Sequence, residues 1–282
     1  MQLKQALSSA VDRLEAAEVG SPRMNAELLL MFVLGVNRAY LYAHPERELT
    51  LEEEARYDEV LAQRATGMPS QYITGHQEFW GLDFVVSPAV LIPRPETEHL
   101  VETVLELARG TTRPKLVDVG TGSGCIALAL AQELQGAEVY AVDASSEALE
   151  IARANAARLQ LATRVQFAQS DVLEVLADMR DFDFVVSNPP YVGWAEANKV
   201  QQSVREFEPR MAVFAGEQGL DVIAPLVEQG HRALKARGWL VIEIGYSMRD
   251  TVLNLLSPTM WHDVRVVPDL QGIPRVVAAE KA

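Results

Sequence analysis

The chain has 282 residues, of which 49% are hydrophobic, a formal net charge of −14 and one cysteine, Cys125. Its length favours about two domains, no run of about 18 uncharged apolar residues predicts a membrane span, and the single cysteine excludes an internal disulfide and suits the reducing cytoplasm. Because nucleic-acid binding draws most of its affinity from Lys and Arg, the acidic balance disfavours a direct nucleic-acid partner, and scattered histidines predict no metal site.

Residues 1–70 predict a small helical domain. Apolar residues recur at helical spacing in the first segment: Leu3, Ala6, Leu7, Ala10, Val11 and Leu14. Ser21 and Pro22 are typical of an N-cap and a first helical position. Thr50 and Glu53 have the spacing of a capping box. We expect a bundle of helices with an apolar middle helix.

Residues 71–90 change character and predict a β-hairpin that links two domains. The segment "QYITGHQEFWGLDFVVSP" is rich in aromatic and β-branched residues, with Gly75 and Gly81 as turn points. A helix is then predicted to begin near Pro95, with Glu96 and Glu98 in its first turn, where acidic side chains are favourable.

Strands and helices alternate within residues 91–282, and this pattern predicts a catalytic α/β domain with a parallel sheet covered on both faces. The predicted strands, in chain order, are "KLVDVG", "EVYAVDA", "VQFAQSD", "FDFVVSN", "GWLVIEIG", "DVRVVPD" and "RVVAAE". Only "LQGIP" separates the last two, which is too short for a parallel crossover. We therefore expect a seven-stranded doubly wound (Rossmann-like) sheet whose final strand is antiparallel.

A glycine-rich loop follows the first strand of this domain. Gly120, Gly122 and Gly124 stand between an apolar strand and an apolar helix, where glycines allow a tight turn and close approach to a ligand. The loop reads G-x-G-x-G, and Asp118 precedes it inside the strand. A carboxylate there opposes a pyrophosphate and suits a ligand that carries a positive charge.

Two further acids follow the next two strands. Asp143 ends the second strand, where an acid can accept hydrogen bonds from ribose hydroxyls. Asp171 follows the third strand, where it can meet an adenine amino group or simply cap a helix. Because open α/β sheets bind ligands at the carboxyl ends of their strands, these acids predict one crevice. The arrangement resembles the class I S-adenosylmethionine-dependent methyltransferases.

The fourth strand ends in Asn188-Pro189-Pro190-Tyr191. Consecutive prolines cannot donate backbone hydrogen bonds, so the strand must stop there. The motif resembles the NPPY signature of methyltransferases that act on planar nitrogens, which include adenine-N6, cytosine-N4 and glutamine-N5 enzymes. A planar nitrogen is a poor nucleophile because its lone pair is delocalised. The Asn188 side-chain oxygen and the Pro189 carbonyl can accept its two N–H groups, and Tyr191 can stack on it.

The whole chain resembles the peptide chain release factor N5-glutamine methyltransferase family (PrmC/HemK). The resemblance is carried by the helical region, "IPRPETE", the glycine loop, "SNPPY" and "EFEPRMAVFAGEQGLD". It implies a cytoplasmic enzyme that transfers a methyl group from S-adenosyl-L-methionine to the glutamine of the Gly-Gly-Gln motif of release factors, with the helical domain recognising the protein substrate.

The resemblance also implies roles for individual residues. The residues expected to bind cofactor are Asp118, Gly120, Thr121, Gly122, Ser123, Gly124, Asp143, Asp171, Val172 and Asn188. The residues expected to bind and orient the glutamine are Asn188, Pro189, Pro190 and Tyr191, of which Asn188, Pro189 and Tyr191 are expected to be catalytic. Some family members have Trp where this chain has Val172, so a contact to adenine there would be aliphatic.

Two alternatives differ from this interpretation. An adenine-N6 methyltransferase that acts on nucleic acid would need a basic binding face and a pocket for a flipped base, and the net charge of −14 disfavours it. A binding module that kept the fold without catalysis is disfavoured because Asp118, Gly120, Asp143 and Asn188 are all present.

Overall fold

The computed structural model describes all 282 residues, which form two compact units. The first unit comprises Met1–His76 together with Gln201–Phe207, and the second comprises Gln77–Val200 together with Glu208–Ala282. None of the helices combines the length and the apolar character needed to cross a lipid bilayer.

The chain contains twelve α-helices and nine strands. The helices are α1 (Leu3–Ala16), α2 (Pro22–Leu34), α3 (Arg38–Ala43), α4 (Leu51–Ala65), α5 (Ser70–Thr74), α6 (Glu98–Leu107), α7 (Cys125–Glu133), α8 (Ser146–Arg158), α9 (Gln202–Phe207), α10 (Arg210–Val213), α11 (Ile223–Ala233) and α12 (Arg249–Leu253). The strands are β1 (His76–Phe79), β2 (Leu82–Val85), β3 (Lys115–Val119), β4 (Glu138–Asp143), β5 (Val165–Gln169), β6 (Phe182–Ser187), β7 (Leu234–Glu243), β8 (Trp261–Pro268) and β9 (Pro274–Lys281). A short 3₁₀ turn, Pro95–Thr97, leads into α6.

The first unit is helical, as its periodicity predicts. The capping box at the start of α4 is present: Thr50 Oγ1 accepts from the Glu53 N–H, and Glu53 accepts from the Thr50 N–H. Ser21 does occupy the N-cap position of α2, but its side chain makes no capping hydrogen bond. Across the bundle, the buried Tyr57 hydroxyl donates to the Ala26 carbonyl at 2.9 Å, which joins α4 to α2.

The predicted hairpin forms between β1 and β2. Trp80 and Gly81 both have positive φ, at 55° and 68°, which matches the handedness that a two-residue hairpin turn requires. The turn is fixed from outside, because the Trp80 N–H donates to Glu98 Oε1 at 2.8 Å. Residues 71–74, which the sequence assigned to the hairpin region, belong to the short helix α5 (Ser70–Thr74) instead.

The second unit contains a seven-stranded sheet in the order β5-β4-β3-β6-β7-β9-β8. Strands β3 to β7 pair in parallel, and β9 is antiparallel to β7 and β8. The predicted doubly wound sheet with an antiparallel final strand is confirmed. The sequence did not predict the strand order, in which β9 lies between β7 and β8. Helix α11 ends at Ala233, because Leu234 already pairs with Phe182 in the sheet.

Apolar helices cover both faces of this sheet. Helices α6 and α7 pack on one face and α11 and α12 on the other. Strand β6, in the centre, is buried at every position. Because a polar side chain inside a strand that is buried on both faces needs a partner, the ligand-facing chemistry of this sheet lies at the carboxyl edge of β3 to β7.

Candidate active site

A cavity of about 370 Å³ opens at the carboxyl ends of β3, β4, β5 and β6. Its walls come from the glycine loop, from the residues that end these strands, and from two segments, 89–97 and 209–222. The volume is within the range of about 300–1,000 Å³ that is typical of small-molecule sites, and the position is where open α/β sheets bind ligands.

The glycine loop forms the turn from β3 into α7. Gly120, Gly122 and Gly124 have φ of 71°, 55° and 83°, which side chains with a Cβ rarely adopt. Gly124 is also packed closely, since a Cβ there would lie 3.1 Å from Leu128 Cδ1 and 3.2 Å from Ala152 Cβ. The glycines therefore serve both the turn and the packing of α7 against α8.

Asp118 lies under this loop and is fully buried. Its Oδ2 accepts from the Thr121 hydroxyl at 2.6 Å and from the Ala127 N–H at 3.2 Å, while Oδ1 has no hydrogen-bond partner. Burial raises the pKa of Asp118 to about 7. A positive charge brought near the loop would favour the ionised form and lower that pKa. Asp118 does not line the cavity, and its hydrogen bonds connect it to the loop through Thr121 and to the start of α7 through Ala127.

Asp143 ends β4 and faces the cavity. Its Oδ2 accepts from the Gly122 N–H at 2.8 Å, and its Oδ1 accepts from the Ser145 N–H at 2.9 Å. Burial raises the pKa of Asp143, and the backbone N–H groups act against that rise. Because each carboxylate oxygen has a further lone pair, Asp143 can hold the loop and still accept from a ligand.

The third acid, Asp171, is exposed and also lines the cavity, next to Val172. Val172 has φ of 48°, a strained conformation for a β-branched residue. It is buried and belongs to the same apolar cluster as Val142, Leu173 and Ile223. A strained conformation of this kind persists only where the surrounding structure constrains it.

The cavity carries more negative than positive charge. Asp143, Asp171 and Asp221 line it against one cationic side chain, Arg94. The Arg94 guanidinium is itself paired with the buried Glu208 carboxylate. The site therefore suits a ligand with positive charge and opposes one rich in phosphate.

Asn188 and the two prolines that follow it line the cavity at the end of β6. The Asn188 side chain is oriented by one contact, because its Nδ2 donates to Thr97 Oγ1 at 3.1 Å. The carbonyl oxygen Oδ1 is therefore the end of this amide that is left to meet a ligand. No backbone N–H is available at Pro189 or Pro190, so this loop offers acceptors to the cavity and few donors.

The chain after the prolines is held by residues 213–219. The Val192 N–H donates to the Val213 carbonyl at 3.1 Å, and the Trp194 N–H donates to the Gly216 carbonyl at 3.0 Å. Gly219 passes so close that a Cβ would lie 2.1 Å from the Tyr191 carbonyl oxygen. These contacts fix the backbone that leaves the NPPY motif.

Tyr191 packs into the core beside the cavity. Its ring lies against Gly245, where a Cβ would be 3.0 Å from Tyr191 Cδ2. Burial raises the pKa of the Tyr191 hydroxyl to about 12. Tyr191 is not among the lining residues, and its stacking on a substrate stays a prediction.

The structure thus brings most of the predicted site residues to one cavity. The predicted residues that line it are Gly120, Thr121, Gly122, Ser123, Asp143, Asp171, Val172, Asn188, Pro189 and Pro190. Asp118, Gly124 and Tyr191 lie behind the wall. Their predicted direct contacts with cofactor or substrate stay predictions.

The segment Pro93 to Glu98 of "IPRPETE" connects the cavity to three other parts of the fold. Arg94 pairs with Glu208, a residue 114 positions later in the chain. Thr97 accepts from Asn188, and Glu98 accepts from the Trp80 N–H of the hairpin turn. Pro93, Arg94 and Thr97 line the cavity. These contacts explain why so many polar residues are concentrated in one short segment.

Some residues that shape the site are not indicated by local pattern. Asn155 lies in α8, fully buried, where the sequence shows only a polar residue in a helix. Glu208 and Glu243 are similarly buried. Glu243 did carry a signal: it ends the apolar strand "LVIE" just as an acid interrupts "LVDVG", and a charge in a buried strand needs a partner.

We expect Asn155→Ala to lower the free energy of unfolding by about 2 kcal/mol, because its amide satisfies buried backbone groups. Its Oδ1 accepts from the Val85 N–H at 2.8 Å, and its Nδ2 donates to the Val85 carbonyl at 3.0 Å and the Ser123 carbonyl at 2.9 Å. Urea unfolding measures the change. Asn254→Ala, outside the cavity wall, is the control; equal midpoints for the two variants would contradict the expectation.

Comparisons with known proteins agree along the whole chain. Residues 5–75 match the PrmC N-terminal domain, and residues 95–207 match the methyltransferase small domain. The release factor glutamine methyltransferase of Koribacter versatilis is 58% identical over 281 residues, covering 100% of this chain and 99% of that protein. The protein of the same name from Escherichia coli is 39% identical over 277 residues, covering 98% of each chain.

Among solved structures, the hMettl16 catalytic domain in complex with the MAT2A 3′UTR hairpin 6 superposes with a TM-score of 0.59. It covers 78% of this chain and 81% of that one at 19% identity, so the likeness concerns the fold alone. The full-length identity to the curated relatives, together with the two matched domains, decides the family. The chain belongs to the release factor glutamine methyltransferases.

Proposed function

We propose that this methyltransferase transfers a methyl group from S-adenosyl-L-methionine to the N5 amide nitrogen of the glutamine in the Gly-Gly-Gln motif of peptide chain release factors. One observation carries the proposal: the Asn188 amide is held by Thr97 through Nδ2, so that its acceptor oxygen remains for the substrate. The relatives' names supply the protein substrate. Release factors act at the ribosome, and we assign the reaction to the cytoplasm.

The residues around the cavity fit S-adenosylmethionine. The ligand carries a sulfonium, an amino group, a ribose and an adenine, and the cavity is lined by Asp143 and Asp171, with Asp118 buried behind it. In this proposal Asp143 accepts from the ribose hydroxyls, Asp171 meets the adenine, and the glycine loop surrounds the remainder. When bound, this cofactor supplies an electrophilic methyl group on sulfur.

The chain's own residues then orient the glutamine carboxamide. Asn188 Oδ1 and the Pro189 carbonyl accept the two N–H groups, which fixes the nitrogen and favours the positive charge that develops on it. The two prolines stiffen the loop, so the acceptors are preorganised. Orientation of this kind supplies about 7–11 kcal/mol in favourable cases. A strong general base is not needed, since the amide nitrogen becomes acidic once it is methylated.

The direct test incubates enzyme, labelled S-adenosylmethionine and release factor, and locates the added methyl group by mass spectrometry. We expect one methyl group on the Gly-Gly-Gln glutamine and no label when that glutamine is replaced. Label on DNA or RNA, with none on the factor, would instead support the adenine-N6 alternative and overturn the proposal.

The proposal also assigns roles to the three sequence regions. Residues 1–70 recognise the protein substrate, and residues 71–90 link the two domains. Residues 91–282 bind the cofactor and catalyse methyl transfer. The helical unit has apolar side chains that its own core does not use: Met24, Phe32 and Tyr42 are 55%, 40% and 57% exposed. Exposed apolar side chains of this size are suited to protein contacts.

We expect Phe32→Ser to reduce methylation of an intact release factor about tenfold, the usual size of a substantial contact residue. A short Gly-Gly-Gln peptide, which lacks the docking surface, should be methylated as by the wild type. Leu270→Ser, at an exposed apolar side chain of the second unit, is the matched control. A parallel loss on factor and peptide would argue against a docking role.

A further inference from the structure

Glu243 is a buried carboxylate that the proposed reaction does not use. It ends β7 and is 2% exposed, and its Oε2 has no hydrogen-bond partner. Strand β7 pairs with β6 so that Ile242 lies beside Ser187, which puts Glu243 level with Asn188. Glu243 is not a lining residue. Because burying a carboxylate is costly, its place next to the site needs an explanation.

Thr97 connects Glu243 to Asn188. The Thr97 hydroxyl lies beside the Glu243 carboxylate and favours its ionised form, which lowers the pKa of Glu243, and the Thr97 oxygen accepts from Asn188 Nδ2 at 3.1 Å. A threonine hydroxyl has one proton and two lone pairs. When that proton is donated to the carboxylate, the Thr97 oxygen can only accept a hydrogen bond from Asn188. Asn188 must therefore present its NH₂ end to Thr97.

We propose that Glu243 is a positioning residue that, through Thr97, fixes the amide of Asn188 with its oxygen toward the substrate nitrogen. The inference rests on the proposed function. Rotation of the Asn188 amide by half a turn would set its NH₂ group against the NH₂ group of the substrate glutamine, two donors facing each other. A carboxylate is needed because it is an acceptor only and so removes the other arrangement.

Protonation of Glu243 would release this constraint. A carboxylic acid can donate to the Thr97 oxygen, and the Thr97 proton is then free to point at Asn188 Oδ1. Burial raises the pKa of Glu243 to about 7. The groups that face it are Arg275 of β9 and Arg94, which lower that pKa, Glu96, which raises it, the hydroxyl of Tyr191 and the Cys125 thiol of α7. Turnover should therefore fall as the pH falls through about 7.

The test measures kcat and KM for release factor at saturating S-adenosylmethionine, from pH 6 to pH 9. Saturation with S-adenosylmethionine keeps the titration of Asp118 out of the comparison. We expect Glu243→Gln and Thr97→Val each to lower kcat about tenfold, which corresponds to the loss of one hydrogen bond. The KM for release factor should be nearly unchanged in each variant. Thr97→Ser should retain most activity, and Glu243→Gln should lose the acid limb of the pH profile.

A double variant decides whether Glu243 acts through Thr97. Adding Glu243→Gln to Thr97→Val should cause no further loss, since the connection is already broken. Thr103→Val, which removes a buried hydroxyl that donates to the His99 carbonyl, and Glu280→Gln on β9 are the matched controls and should keep wild-type kcat. Thermal melting checks that each variant is folded.

Four results would overturn the inference. If the wild type is active and Glu243→Gln has the same kcat and pH profile, the inference is wrong and the proposed function stands. Additive losses in the double variant would have the same meaning. If Glu243→Gln does not fold, the Thr97 variants provide the test, and equal kcat for Thr97→Val and Thr97→Ser would show that the inference is wrong. A wild-type enzyme that labels no release factor overturns the proposed function, and the inference with it.

Discussion

Replacement of Asn188 by alanine is expected to reduce turnover by about 10²–10³-fold, the usual cost of removing one preorganised hydrogen-bonding group from a transition state. The variant keeps the stiff proline loop, the glycine loop and the acids of the cavity. It loses the oxygen that accepts from the glutamine nitrogen. Cofactor binding should therefore stay within a few-fold of the wild type.

The two quantities are measured separately, turnover with saturating release factor and cofactor affinity by calorimetry without it. Asn254→Ala, on the short segment after α12, is the matched control and should behave as the wild type. If cofactor affinity collapsed together with turnover, Asn188 would be a cofactor ligand first, and its assignment as the residue that orients the glutamine would be wrong.

Replacement of Asp143 should weaken cofactor binding by about 10²-fold, which corresponds to about 2.7 kcal/mol. Two hydrogen bonds from ribose hydroxyls to a charged acceptor are lost, at about 1.5–3 kcal/mol each before compensation by water. The alanine variant also removes the acceptor of the Gly122 and Ser145 N–H groups, so the glycine loop loses the hydrogen bond that joins it to the end of β4.

The asparagine variant makes this prediction sharper. Both oxygens of Asp143 accept backbone N–H groups, so the NH₂ of an asparagine must face one of these donors. We therefore expect Asp143→Asn to bind cofactor almost as weakly as Asp143→Ala. Asp178→Asn, on an exposed residue outside the cavity wall, controls for the lost charge. Affinity within threefold of wild type in Asp143→Ala would remove the residue from the cofactor site.

Features whose causes are local in the chain were predictable from the sequence. The turn from β3 into α7 requires glycine conformations within five residues, and the end of β6 follows from two adjacent prolines. The antiparallel final strand followed from the length of "LQGIP". The position of β9 between β7 and β8 did not follow, because connection length limits direction but not which edge a strand joins.

Contacts between residues that are distant in the chain could not be predicted from the sequence, because their causes are not local. Arg94 meets Glu208 across 114 residues, Val85 meets Asn155 across 70, and Thr97 meets Asn188 across 91. Each partner is an ordinary polar residue in its local segment. Only the packing of strands and helices brings them together, and a buried polar atom then binds whatever partner that packing supplies.

By itself, the sequence determined the chemistry at the end of β6: a stiff turn that carries a side-chain amide and carbonyl acceptors suited to a planar nitrogen. It also determined that three acids lie at or near the carboxyl ends of adjacent strands, close to a glycine loop. The tertiary structure decided which end of the Asn188 amide faces the cavity, because that choice depends on a threonine 91 positions earlier. It decided, too, that Asp118 and Tyr191 lie behind the cavity wall, since depth within a packed sheet is set by neighbouring elements and not by the residue's own segment.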